Sequence, residues 1–179
     1  MDLDLLLNQK NKYKPMKPIN RSAAAFIKTG ERIAAEVKMS LDFDLRKLVS
    51  CNGGTIHDIT FALFQQFSEK GILDNSIYVH KTEDFDIILH AYLPFDQTRY
   101  VLAHELGHYV LHAEEMSYAY QKGDAQIEQE AYYFALGFLM PETLFVEKYK
   151  LNQNDEWLAS LFRLPLELIR SRKQSLNLQ

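Results

Sequence analysis

Residues 99–112 read RYVLAHELGHYVLH, and this stretch decides how the rest of the chain is interpreted. Apolar residues surround its charged members, which predicts a largely buried helix from Arg99 to Ala113. His104 and His108 stand four positions apart, so on a helix their imidazoles share one face and can reach the same metal ion. Glu105 lies on the neighbouring flank, where a carboxylate can act as a general base. Burying these three side chains without partners is costly, and a metal ion would satisfy them.

A hydrolytic zinc site takes three protein ligands and leaves the fourth position to water. The next acidic helix, predicted from Asp124 to Met140, offers Glu128 and Glu130 as the third ligand. On a helical wheel Glu128 falls within the apolar arc, where an acid needs a ligand or a partner, and Glu130 falls at its rim. The wheel favours Glu128, but this helix is apolar almost all round, so Glu130 stays the alternative.

His112 continues the series of histidines at four-residue spacing. The Cα atoms of the three histidines would span roughly 12 Å at the helical rise, too far for one zinc ion with ligand bonds near 2 Å. We therefore expect His112 to support a ligand, to face a substrate or simply to end the helix. Candidate donors to the oxyanion of a hydrolytic reaction are Tyr109, His112, Tyr118 and Tyr120.

Two motifs of the chain resemble those of the ImmA/IrrE family of zinc metallopeptidases. The first is the stretch 99–112, and the second runs from Glu128 to Pro141 with the pattern E-x-x-A-x-x-F-A-x-x-x-L-M-P. Upstream segments beginning at Gly53, Ser76 and Phe85 are similar to the small sheet that precedes the metal helix in that family. The resemblance covers approximately residues 40–179.

The resemblance implies a Zn²⁺ cofactor and Glu128 as the third ligand, because the family's ligand stands three places before the alanine that is Ala131 here. It also implies a protein substrate, namely a helix-turn-helix repressor that is cut to release transcription in a mobile element or a stress response. The family commonly has Asn or Asp after that alanine, whereas this chain has Tyr132. Outer partners of a ligand are worth about 10- to 100-fold in metal affinity or activity, so Tyr132 is a candidate for orienting a ligand.

The composition is that of one folded domain, with 179 residues, 47% of them hydrophobic and 12% aromatic. A net charge of −4 argues against a general binder of polyanions. The single cysteine, Cys51, cannot form an internal disulfide, which suits a reducing cytosol, and we expect it to pack in the core. No apolar run approaches the roughly 20 residues of a membrane span, and no signal peptide is evident. The sequence therefore predicts a cytoplasmic protein without a membrane partner.

The predicted fold class is α+β, with a small antiparallel or mixed sheet packed on the metal helix and mostly helical N- and C-terminal parts. Strands are predicted at Ser76–His80 and Phe85–Leu93. Further helices are predicted at Ser22–Met39, Phe43–Val49 and Phe61–Lys70.

Three regions are predicted along the chain. Residues 1–21 form a basic lead-in that we interpret as solvated and flexible, with docking to nucleic acid or a partner as the alternative. Residues 22–150 form a zincin-like metallopeptidase domain. Residues 151–179 form a helical pair packed on the core, with a tight connection at Leu164-Pro165 that resembles a helix-turn-helix. This tail has four basic against three acidic side chains between 155 and 173, fewer than a DNA-reading helix usually has, which favours docking of a protein over direct binding of nucleic acid.

Two functions fit these observations. The first is a zinc-dependent endopeptidase in which Glu105 serves as the base. The second is a regulatory protein that docks to a repressor or to DNA and keeps zinc only as a structural ion. The intact Glu105 favours the enzyme, because a structural site needs no base, whereas the departure at Tyr132 favours the regulatory protein. The scissile bond, the activating signal and the oligomeric state are left open by the sequence.

Overall fold

A computed structural model describes residues 23–60, 76–81, 84–90, 93–119 and 125–178. In chain order its elements are helices α1 (Ala23–Glu36) and α2 (Leu45–Ser50), strands β1 (Gly54–Ile59), β2 (Ser76–Lys81) and β3 (Asp84–His90), and helices α3 (Phe95–Ala119), α4 (Ala125–Leu139), α5 (Glu142–Leu151), α6 (Asp155–Phe162) and α7 (Leu166–Ser175). The predicted α+β class is confirmed. The predicted helix over 61–70 and the basic segment 1–21 lie outside the described residues.

The sheet is mixed, with β3 between β1 and β2. Strand β3 runs parallel to β1, with Gly54 opposite Phe85, and antiparallel to β2, with Ile77 opposite Ile87. Phe85, Ile87 and Leu89 are fully buried and alternate along β3 with half-buried residues, so one face of the sheet meets the core. Helix α3 packs on this sheet through contacts with β2 and β3.

Helices α1 and α3 end at other residues than the sequence predicted. Helix α1 stops at Glu36, because Lys38 adopts a left-handed conformation (φ 56°) and the amide of Met39 donates to the carbonyl of Ala34 at 2.8 Å. Helix α3 is longer than predicted at both ends and runs from Phe95, just after a proline, to Ala119. Apolar periodicity fades after residue 113, but the sequence holds no glycine or proline between Gly107 and Gly123 to end the helix.

Helices α1 and α4 cross with their backbones in direct contact. A Cβ atom on Gly30 would collide with the carbonyl oxygen of Phe134, and one on Gly137 would collide with the carbonyl of Ile27. Only glycine permits such an approach at both positions. The crossing fixes α4 in the core, and α4 is the helix that carries both candidate acids.

The C-terminal helices belong to the same core as helix α3. The predicted pair is present as α6 and α7, joined through Arg163, which is left-handed at φ 55°. Helix α5 was not predicted as a separate element. Leu158, Phe162 and Ile169 are buried in one cluster with residues of α3 and α4. The division at residue 150 therefore stays a prediction.

The buried Arg172 ties α7 to the first part of the chain. Its side chain is 1% exposed, and its Nε donates to the carbonyl of Met140 at 2.8 Å. The same guanidinium forms an ion pair with Glu31 of α1, whose carboxylate also accepts the amide of Glu142 at 3.2 Å. Helices α1, α5 and α7 thus share one polar contact beside the core.

The expectation that Cys51 is buried was wrong, because this residue is exposed. It lies at the C-terminal end of α2, just before a turn in which Gly53 has φ 77°, and this turn keeps the thiol on the surface. In the described segments no helix combines the length and apolarity that crossing a membrane requires.

Candidate metal centre

Helices α3 and α4 bring three side chains together. Nε2 of His104 lies 3.0 Å from Oε2 of Glu128 and 3.1 Å from Nε2 of His108. The remaining pair, Nε2 of His108 and Oε2 of Glu128, is 3.5 Å apart. Among the described residues these three side chains form a group able to hold a metal ion.

The spacing of the three atoms fits tetrahedral coordination. Two ligand atoms bound at about 2.1 Å to a tetrahedral zinc ion lie about 3.4 Å apart. The observed distances of 3.0, 3.1 and 3.5 Å are close to that value. Two imidazoles and one carboxylate also match the donor set of catalytic zinc sites, which leave a fourth position open.

The close contact between Gly107 and α4 allows Glu128 to lie beside the two histidines. A Cβ atom on Gly107 would lie 3.0 Å from Cδ1 of Phe134 and 3.1 Å from the carbonyl oxygen of Ala131, both tighter than ordinary van der Waals contact. Without a side chain at Gly107, α4 packs closely against α3. Glu128, about one turn before Ala131, is thereby placed beside His104.

Burial keeps one histidine of the centre neutral. The side chain of His108 is 2% exposed, and this burial, helped by the neighbouring His104, lowers the pKa of His108 to about 4. The imidazole of His108 is therefore neutral at neutral pH and keeps a lone pair available for a metal ion. Glu105 is buried too, at 6% exposed, directly after the first histidine.

His112 and Glu130 form a second pair between the same two helices. Nε2 of His112 lies 3.0 Å from Oε2 of Glu130, and Gln126 donates to the other carboxylate oxygen at 3.0 Å. The alternative ligand therefore contacts a different histidine from those that approach Glu128. His112 is buried, with its ring 5.7 Å from that of His108 between centroids.

The tyrosines suggested by the sequence lie in different surroundings. Tyr109 is fully buried and stacks on Phe85 of β3 with ring centroids 4.3 Å apart, so a contact with substrate would require its exposure. Tyr132 donates its hydroxyl to Oγ of Ser171 on α7 at 2.7 Å. Tyr118 falls in the last turn of α3, and Tyr120 lies outside the described residues.

Sequence reasoning missed two residues of α3, one that contacts a candidate ligand and one that anchors the helix. The hydroxyl of Tyr100 lies 3.4 Å from Nδ1 of His104, and the spacing of four on one helix could have revealed this pair. Burial, together with nearby Tyr132 and Glu128, raises the pKa of Tyr100, so its hydroxyl keeps its proton. Arg99 anchors α3 by donating to the carbonyls of Phe43 at 3.0 Å and of residue 40 at 3.2 Å, a long-range contact with no signal in the sequence.

Comparison with known proteins identifies the family of the chain. A family model described as Peptidase_M78, IrrE N-terminal-like domain, matches residues 64–173, which is more than half of the chain and includes all of α3 and α4. None of the curated proteins compared with the chain matches it. The match spans both helices of the candidate centre and most of the C-terminal pair, and the chain therefore belongs to the Peptidase_M78 family of IrrE-like metallopeptidases.

Proposed function

We propose that this protein is a zinc-dependent endopeptidase that cleaves one specific protein, a helix-turn-helix repressor, in the cytoplasm. The observation that carries the proposal is the convergence of His104, His108 and Glu128 within 3.5 Å, with the buried Glu105 directly beside the first histidine. Membership of a peptidase family supports a protein substrate. The repressor class follows from the sequence resemblance, and an unpaired thiol suits a reducing compartment.

The proposed roles follow from the positions of the side chains. His104, His108 and Glu128 would hold the ion, and zinc at this position would polarise a peptide carbonyl and lower the pKa of a water molecule toward about 7. Glu105 would accept the proton of that water and pass it to the departing amine. Its burial supports this role, because a carboxylate shielded from bulk water exchanges protons with its immediate neighbours.

The groups around the ligands would act by orientation. His112 connects α3 to Glu130 of α4, and Tyr132 connects α4 to α7. The first contact holds the two ligand-bearing helices in register, and the second fixes α4 against α7. Tyr109, His112 and Tyr132 remain our candidates for stabilising the oxyanion or orienting the ligands.

The charges of the tail count against docking to DNA through α6 and α7. Each basic side chain of residues 155–173 has an acidic partner within 4 Å, in the pairs Arg163–Asp42, Arg170–Asp155, Arg172–Glu31 and Lys173–Asp155. Arg172 is also buried and cannot reach a phosphate. Binding a nucleic acid would require these internal pairs to exchange partners.

Substitution of Glu105 by Gln tests the proposal. Gln keeps the size of the side chain but cannot accept a proton at neutral pH, so cleavage should fall by about 10²- to 10⁴-fold while zinc stays bound. Cleavage is followed on a gel with zinc-loaded protein and a candidate helix-turn-helix repressor, and zinc is measured by elemental analysis. Glu147→Gln, an exposed acid on α5, is the matched control and should cleave like the wild type.

The same variant separates cleavage from docking when it is expressed in cells. The proposed enzyme requires that Glu105→Gln leave the repressor intact and its target promoter silent. If the promoter is fully released while the repressor stays uncut, the protein acts by docking, and the peptidase function is wrong.

A further inference from the structure

The two ring nitrogens of His104 face different partners. Nε2 lies 3.0 Å from Glu128 and 3.1 Å from His108, inside the candidate centre. Nδ1 lies on the other side, 3.4 Å from the hydroxyl oxygen of Tyr100. The two rings are 5.7 Å apart between centroids, with an interplanar angle of 55°. Tyr100 therefore contacts the ligand through the nitrogen that a metal ion would leave unused.

This arrangement has a direct consequence for the tautomer of His104. A neutral imidazole that offers the lone pair of Nε2 carries its proton on Nδ1, and the partner of that N–H fixes both the tautomer and the orientation of the ring. A phenol oxygen can accept such a hydrogen bond. The side chain of His104 is only 14% exposed, so water has limited access to replace that partner.

Tyr132 packs against Tyr100, and its hydroxyl has a different partner. It donates to Oγ of Ser171 at 2.7 Å, which directs it toward α7. Its ring stands edge-on to that of Tyr100, with centroids 6.4 Å apart and an interplanar angle of 73°. The ring of Tyr132 thus packs beside Tyr100, while the Tyr100 hydroxyl is the one that contacts the ligand.

We propose that Tyr100 is a positioning residue for His104: its hydroxyl oxygen accepts a hydrogen bond from Nδ1–H, which leaves the lone pair of Nε2 for the metal ion. The ring of Tyr132, held by its bond to Ser171, keeps Tyr100 in place. This inference rests on the proposed metal centre. It assigns no catalytic step to either tyrosine.

Two hydroxyl deletions test the assignment. Tyr100→Phe keeps the ring but removes the acceptor, so zinc affinity, measured by competition with a chromophoric chelator, should weaken by about 10-fold or more. The thermal midpoint of the zinc-free Tyr100→Phe variant should stay close to that of the wild type. Tyr149→Phe, which removes a hydroxyl from α5 outside the candidate centre, is the matched control and should leave zinc affinity within about 2-fold.

Histidine NMR gives a readout that a purely structural role would not change. In the zinc-loaded wild type the Nδ1 proton of His104 should be visible and protected, and in Tyr100→Phe it should exchange faster with water. Wild-type zinc affinity and unchanged protection in Tyr100→Phe would overturn the assignment.

The outcomes for the centre and for Tyr100 can be told apart. A wild-type chain that takes up no zinc would overturn the proposed function and this inference together. A chain that binds zinc but cleaves nothing would overturn only the peptidase function, because the affinity comparison between Tyr100→Phe and Tyr149→Phe does not depend on cleavage.

Discussion

The choice between two acids two positions apart determines the ligand set of the candidate centre. The sequence alone left Glu128 and Glu130 open, because α4 is apolar almost all round. In the structure each acid faces its own histidine: Glu128 approaches His104, and Glu130 approaches His112, both at 3.0 Å. The geometry therefore favours Glu128 as the metal ligand, whereas Glu130 connects α4 to His112 of α3.

Replacing each of these two acids by glutamine should have opposite effects on the zinc content of the protein. Glu128→Gln removes a charged oxygen that lies between both histidines, so the purified protein should lose most of its zinc, which we expect at about one ion per chain in the wild type. Glu130→Gln, the matched control, should retain the ion. Elemental analysis of protein purified without chelator decides the matter, and zinc that is lost from Glu130→Gln but kept by Glu128→Gln would show the ligand assignment to be wrong.

Contacts between residues of one helix could be predicted from the sequence, whereas contacts between residues of different helices could not. The pairing of His104 with His108 follows from helical periodicity, and the same rule could have revealed Tyr100. The pairing of His112 with Glu130 depends on the distance and rotation of two helices, which no local pattern encodes.

At the scale of elements, the positions of the helices depend on glycines. Gly107 lets α3 approach α4, and the Gly30–Gly137 crossing lets α1 approach α4 from elsewhere. The sequence predicted helices α1, α3 and α4 because their apolar periodicity is a local pattern. It did not predict the early end of α1, because a lysine with φ 56° occupies a position where glycine is usual.

Gly137→Ala should destabilise the fold. Its new methyl group would enter the backbone of α1 at Ile27, and overpacking of this kind costs about 1–3 kcal/mol, occasionally more. The free energy of unfolding is measured by urea denaturation of the zinc-free protein. Gln129→Ala, an exposed position on the same helix, is the control and should change stability by less than about 0.5 kcal/mol. Equal stability of Gly137→Ala and the wild type would mean that α1 and α4 do not cross at this residue.

At the scale of the whole molecule, the C-terminal helices are joined to the start of the described chain. Arg172 of α7 contacts Glu31 of α1, which lies 141 positions away in the sequence. The guanidinium of Arg172 is buried, and the carboxylate of Glu31 is its charged partner beside the core. Composition indicated one folded domain, and turn residues indicated the helical pair. Whether the pair forms a separate unit could not be read from the sequence, because a contact so distant in the chain leaves no local pattern.

Truncation after Leu151 tests whether the tail is separable. Removing residues 152–179 would expose the surfaces that now cover Leu158, Phe162 and Ile169 and would leave Glu31 without Arg172. Truncating even one large buried apolar side chain costs about 2–5 kcal/mol, and the tail contributes several of them, whereas the total stability of a domain is about 5–15 kcal/mol. We therefore expect the truncated chain to lose cooperative thermal unfolding and to be digested rapidly by trypsin. A truncated chain that melts cooperatively and still binds zinc would support a domain boundary near residue 150.

The exposed Cys51 has a practical consequence for all of these measurements. A chain with one accessible thiol can form a disulfide only with another molecule, so air oxidation would produce covalent dimers that resemble a biological assembly. Dithiol reductants would prevent this dimerisation, but thiolates are themselves strong zinc ligands and would compete for the ion. Zinc titrations therefore call for a phosphine reductant or a Cys51→Ser background. The same thiol offers a single attachment point for a fluorophore that reports docking of a substrate.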